Sequence, residues 1–166
     1  MNLAERLTEE FTKETEATRR VFGRIPEARL SWAPHPKSLS LGQLALHIAA
    51  TPGGVARLLQ EPIREAPTIL FPQPASLAEV FATLDASQET VPATLAGWGE
   101  AGLLAEWQMT RNGKTVFKVP RIEMVRSIML NHSYHHRGEL VVYLRLLDVP
   151  IPAIYGPSAD ENPFAG

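Results

Sequence analysis

The chain of 166 residues has no cysteine. That excludes a disulfide framework, a thiolate zinc site and a cysteine nucleophile, so any transition metal must be held by imidazole and carboxylate. No window approaches the ~18 apolar residues of a membrane span, and the first twenty residues, "MNLAERLTEEFTKETEATRR", are charged every few positions where a signal peptide needs an apolar run. There is also no surplus of positive charge. Sixteen basic and eighteen acidic residues leave a formal net charge of −2, so no field exists to gather nucleic acid or an anionic membrane surface. These absences point to a soluble cytoplasmic protein, and the length suits a single domain over 1–166.

What remains prominent is histidine. Three of the five lie within "NHSYHHRGEL", as His132, His135 and His136, and the coarse structure of the chain decides where they point. Apolar residues at three- and four-residue steps predict a helix from Asn2 to about Phe22. The proline-broken "GRIPEARLSWAPHPKS" then reads as a loop, with Leu30 and Trp32 pinned to the core and His35 exposed between prolines. Ser40 and Gln43 form a capping box, and Leu39 with Leu44 a hydrophobic staple, for a second helix from Leu41 to about Leu59, in which Pro52 predicts a kink or break. "EPIREAPTILFPQPA" reads as a linker long enough to cross between non-adjacent helix ends, which argues against simple up-down-up-down order. Ser76 and Glu79 form a second capping box, opening a third helix that stops before "GWGEAG". Alternation on both sides of Asn112-Gly113 predicts a short β-hairpin, and a fourth helix runs from Arg121 to about Asp148. The expected fold class is all-α, four helices plus this hairpin.

On the fourth helix, at about 100° per residue, His136 falls ~40° from His132 and His135 ~60° to the other side. Val125, Ile128, Met129, Tyr143, Leu146 and Leu147 share the direction of His132, placing His132 and His136 in a core-facing stripe. His47 lies on the apolar side of the second helix. Two readings stay open: imidazoles satisfied by hydrogen bonds within the core, or His47, His132 and His136 gripping one ion and leaving coordination positions free for water or substrate. The spacing of His132 and His136 suits one ion, but "SYH" between them lacks the glutamate of a zinc protease. His135, at the edge of the stripe, and Glu139, one turn beyond His136, are candidates for supporting or acid–base roles rather than ligands. Tyr134 and Arg137 face away from His132, which suggests contact with a second subunit or the tail, where Tyr155 and Ser158 are further candidates for the rim.

"LNHSYHHRGELVVYLRLLDVPIPAIYGPSADE" resembles the C-terminal signature of the DinB-like family, which includes YfiT-type proteins assigned as metal-dependent hydrolases; "SWAPHPKSLSLGQLALHIA" and "FKVPRIEMVRSIMLNHSYHHRGEL" resemble its second- and fourth-helix entries. The resemblance implies a four-helix bundle in up-down-down-up order with a long crossover, a homodimer, and a divalent metal, nickel or zinc, on His47, His132 and His136. The family motif often carries Gln where this chain has Glu139. Characterised members of the wider superfamily depend on low-molecular-weight thiols, as a mycothiol-dependent isomerase and as bacillithiol or mycothiol S-transferases. The implied activity is thiol S-transfer to a small electrophile, or a related hydrolysis. The alternative is a non-catalytic metal- or ligand-binding stress protein.

Overall fold

Helix starts in this chain are written in short polar codes. In a computed structural model describing residues 1–164, the Asn2 side chain accepts from the Glu5 amide and the Glu5 carboxylate accepts from the Asn2 amide, opening α1 (Leu3–Phe22). Ser40 and Gln43 close the same reciprocal pair at the head of α2 (Leu41–Leu58). At the head of α3 (Leu77–Leu104) only half of the expected box forms. The Ser76 hydroxyl accepts from the Glu79 amide, but the Glu79 carboxylate reaches past it to the amide of Ala75.

α3 also continues through "GWGEAG" to Leu104, beyond its expected end, because Gly99 absorbs a kink at φ 56°, ψ −163° that a residue with a Cβ would resist. Pro52 does not break α2. A proline in mid-helix disturbs the ladder around it, and here the buried Ser87 hydroxyl of α3 donates to the Ala49 carbonyl (2.6 Å) and accepts from the Gly53 amide (3.2 Å). The repair therefore comes from the neighbouring helix.

The residues expected to be a plain linker contain a strand, β1 (Ile63–Glu65), which pairs parallel with β2 (Glu106–Arg111). β2 pairs antiparallel with β3 (Lys114–Pro120) through a two-residue turn in which Asn112 and Gly113 both have positive φ, as a type I′ turn requires. The order is β1-β2-β3. A three-residue, fully exposed strand carries no apolar alternation, which is why β1 leaves no sequence signal.

The last helix is composite. α4 (Arg121–Met124) leads into a π-helical segment, Val125–Asn131, and then α5 (His132–Leu146), so residues 121–146 form one rod with a wide turn in its first half. The π winding carries Leu130 into the core beside Met129 and Val125, although a uniform α-helix would turn it away from them. Downstream, the buried positions of α5 are Arg137, Leu140 and Leu144, while Leu146 is exposed. The core-facing stripe is thus turned from the one expected, and His132 and His136 lie at its edge, half-buried.

Apolar packing falls into two clusters. One gathers Leu7 and Phe11 of α1, Val55 and Leu59, Val91 and Leu95, Trp107 of β2, and Met129 and Leu130. The other gathers Val21 and Phe22, Leu41, Leu44 and Ile48, Val80 and Leu84, and Leu140 and Leu144. On α1, α2, α3 and α5 the residues between the two sets include Thr15 and Thr18, Thr51, Ser87, and His132 with Arg137, so a polar waist crosses the bundle between two apolar layers.

Candidate metal centre

At that waist α2 meets α5 through three imidazoles. The Nε2 atoms of His132 and His136 are 3.0 Å apart, and the His47 ring stands nearly perpendicular to both, at 5.1 Å from His132 and 4.9 Å from His136 between centroids. One ligand atom from each of the three lies within 4.8 Å of the others. A single turn of α5 sets His132 above His136, and α2 supplies His47 from across the bundle.

The neighbours of these rings fix which nitrogen faces inward. His136 Nδ1 donates to the Glu139 carboxylate at 2.6 Å, which leaves Nε2 with a free electron pair. Thr51 uses its hydroxyl proton on the His47 carbonyl (2.7 Å), so its oxygen can only accept from His47 Nδ1, at 3.4 Å, and His47 Nε2 is likewise free. His132 is the odd member: its Nδ1 is buried and has no hydrogen-bond partner among the described residues. Without an ion, the 3.0 Å approach of the two Nε2 atoms requires one proton shared between two electron pairs. A cation is a natural replacement for that proton, so the donor set fits a divalent metal ion and supplies it with neutral imidazole nitrogen.

The electrostatics favour the neutral form of two of the three. Burial, with His136 and then His132 nearby, pushes His47 down from 6.5 to about 4. Burial, His136 and His135 lower His132 as well. At neutral pH both rings are therefore in the form that binds metal.

His135 is exposed, with Nε2 3.2 Å from the second oxygen of Glu139, so one carboxylate spans His136 and His135. His135, His136 and Glu139 also lie close enough to form a second potential ligand group, which is the more exposed of the two. His35 is exposed and remote, accepting from the Lys37 amide.

Arg137, placed by its helical angle away from the core-facing stripe, is nevertheless buried. It is 2% exposed and donates to the Glu14 carboxylate (2.5 Å), the Glu14 carbonyl (2.9 Å) and Thr18 (3.2 Å), and also to the Tyr155 hydroxyl. Tyr155 in turn donates to Glu14 at 2.7 Å, and the rings of Tyr134 and Tyr155 lie 5.4 and 5.3 Å from the guanidinium. The tail contact expected for Arg137 is present, through Tyr155. Tyr134 bonds to Glu10 of α1, while Ser158 organises the tail by donating to the Ile151 carbonyl. None of these four residues contacts the three imidazoles through a hydrogen bond.

Sequence reasoning passed over Phe71, whose ring stands edge-to-face with His47 at 5.1 Å. It lies in the proline-rich linker, and only the three-dimensional path of that segment brings it there.

Comparison with known proteins gives the family and the fold. The pattern of the DinB superfamily matches residues 10–140, which include His47, His132 and His136. The chain belongs to the DinB superfamily. Within it, the uncharacterised protein YrdA of Bacillus subtilis is 24% identical over 153 residues, covering 89% of this chain and 85% of the relative. A DinB-like protein of Bacillus cereus shares the fold with a TM-score of 0.73 at 21% identity, covering 91% of this chain and 97% of that one. A second, YjoA of Bacillus subtilis, does so with a TM-score of 0.66 at 21% identity, covering 86% and 92%.

Proposed function

We propose that this DinB-superfamily chain is a metal-dependent enzyme in which His47, His132 and His136 hold one divalent ion, nickel or zinc, and that it transfers a low-molecular-weight thiol to a small electrophile. The observation that carries this reading is the convergence of three imidazoles on one half-buried point, with the Nδ1 atoms of His136 and His47 turned to Glu139 and Thr51. An ion held by three uncharged ligands keeps its full double positive charge and favours loss of the proton from a thiol or water placed against it near neutral pH.

The chain's own residues contribute binding and orientation. Glu139 holds the His136 ring through Nδ1 and keeps its other oxygen on His135 at the solvent side. The half-buried position of the imidazoles leaves the site reachable by a small molecule. In the transfer itself a sulfur–carbon bond forms as the electrophile's leaving group departs with its bonding electrons, and the thiol proton passes to solvent or to the leaving group. In this reading the bundle is ordered up-down-down-up and the protein is a cytoplasmic homodimer. The order is supported by α2 and α3 running the same way, since Gly53 meets Ser87 and Gln60 meets Thr94.

The test is elemental analysis of untagged protein beside His132→Ala and His135→Ala. We expect close to one nickel or zinc per chain in the parent, loss of most of it in His132→Ala, and retention in His135→Ala. Metal absent from the parent, and not taken up when nickel or zinc is added, would reduce the three histidines to packing residues. With metal in place, product formed from a thiol and an electrophile distinguishes an enzyme from a binding protein, which gives none even at stoichiometric concentration.

A further inference from the structure

Between Ala66 and Phe71 the chain forms a strap whose last residue reaches His47. Its ends are fixed: the Ala66 amide donates to the Thr110 carbonyl at 2.7 Å, and the Phe71 carbonyl accepts from Gln43 Nε2 at 2.7 Å. Gln43 is also the residue whose Oε1 caps α2. One side-chain amide therefore ties the start of α2 to Phe71, one turn before His47, and sets the Phe71 ring against the His47 ring.

The rest of the strap is exposed and apolar. Ile69, Leu70 and Phe71 are 58%, 75% and 40% exposed, three consecutive large apolar side chains left facing water. Scattered apolar side chains on a surface need no explanation, but a contiguous run held at the edge of a polar site does. Phe71 meets the His47 ring and is still 40% exposed, which gives the site an apolar side at His47, while Glu139 and His135 give it a polar side at His136.

We infer that Phe71 is the specificity-determining residue of this site and selects an electrophile with an apolar, preferably aromatic, body. This rests on the function proposed above. The aromatic face offers stacking or edge contact to a ring and gives nothing to a small polar electrophile.

The absence of cysteine makes a direct test practical, because an electrophile can be titrated without alkylating a protein thiol. The metal-loaded protein is titrated with 1-chloro-2,4-dinitrobenzene, and separately with acrylamide as a polar electrophile, in the absence of any thiol, while the Phe71 and His47 ring resonances are followed by NMR. We expect the aromatic probe to shift both rings, Phe71→Ala to weaken its binding about tenfold, and Phe71→Leu to recover part of it. Metal content should be unchanged in both variants, and acrylamide binding should not depend on residue 71.

Equal affinity of the parent and Phe71→Ala for the aromatic probe overturns the inference. So does loss of metal in Phe71→Ala, which would make the ring a prop for His47, or a changed sedimentation coefficient without a change in probe binding, which would assign the strap to a second copy of the chain. Failure of the metal assignment is read separately, from the metal content of the parent and His132→Ala.

Discussion

Arg137 takes a charge into a place where only a complete set of partners makes it tolerable. With 2% exposure it cannot rely on water, and its guanidinium is satisfied by the Glu14 carboxylate and carbonyl, by Thr18 and by Tyr155. Removing one side of such a pair strands the other. Arg137→Ala should therefore destabilise the protein by about 3–5 kcal/mol in urea unfolding, whereas Tyr155→Phe, which removes one hydroxyl at the tail, should cost about 1 kcal/mol. A loss below 1 kcal/mol for Arg137→Ala would mean that Glu14 relaxes to solvent and that the cluster does not fix α5 against α1. The sequence anticipated a tail contact for Arg137 but not its burial, for a definable reason. A helical wheel gives the angle between Arg137 and His132 but not which faces are covered, and on α5 the face turned from the histidines packs on α1.

At the scale of elements, α2 shows how much rests on one hydroxyl from a neighbour. Gly53 has no side chain because a Cβ there would stand 2.7 Å from Ser87 Oγ and 3.2 Å from the Ser87 backbone, while a Cβ at Gly54 would meet nothing within 4 Å. Two adjacent glycines in one helix thus make opposite predictions. Gly53→Ala should destabilise by roughly 1–3 kcal/mol through overpacking against α3, and Gly54→Ala should stabilise by about 0.5–1 kcal/mol through the lower entropy of its unfolded chain. Thermal unfolding of the two variants checks both, and the same sign for both would show that Ser87 yields. The capping residues Ser40 and Gln43, the Asn112-Gly113 turn and the spacing of His132 and His136 were legible because each signal is local. Pro52 was legible as an anomaly but not in its outcome, since its repair lies 35 residues away on Ser87. The π segment, Phe71 and β1 were not legible: the first is a change of winding and the others depend on where a linker travels.

For the molecule as a whole, the two apolar clusters hold the bundle from either side of a polar waist. Three imidazoles packed there without an ion are a weakness whose pH dependence can be worked out. In the unfolded chain His47 takes up a proton near pH 6.5, but in the folded protein it does so only near 4, held down by burial and by His136 and His132; His132 is shifted in the same direction. Between those two values the unfolded state carries more protons than the folded one, so stability rises with pH across the interval and falls as acid is added. Below about pH 4 both states are protonated at His47, and its contribution no longer changes with pH. The metal-free protein should therefore lose stability between about pH 6.5 and 4, and a His47→Leu variant should lose less over the same range. A bound metal should add stability at pH 7 and be released as the pH falls, because protons and the ion compete for the same electron pairs. Urea unfolding of stripped parent and His47→Leu at pH 7 and pH 5 measures the difference. Identical slopes would mean that His47 has access to water in the metal-free state, and that the waist opens when the ion leaves.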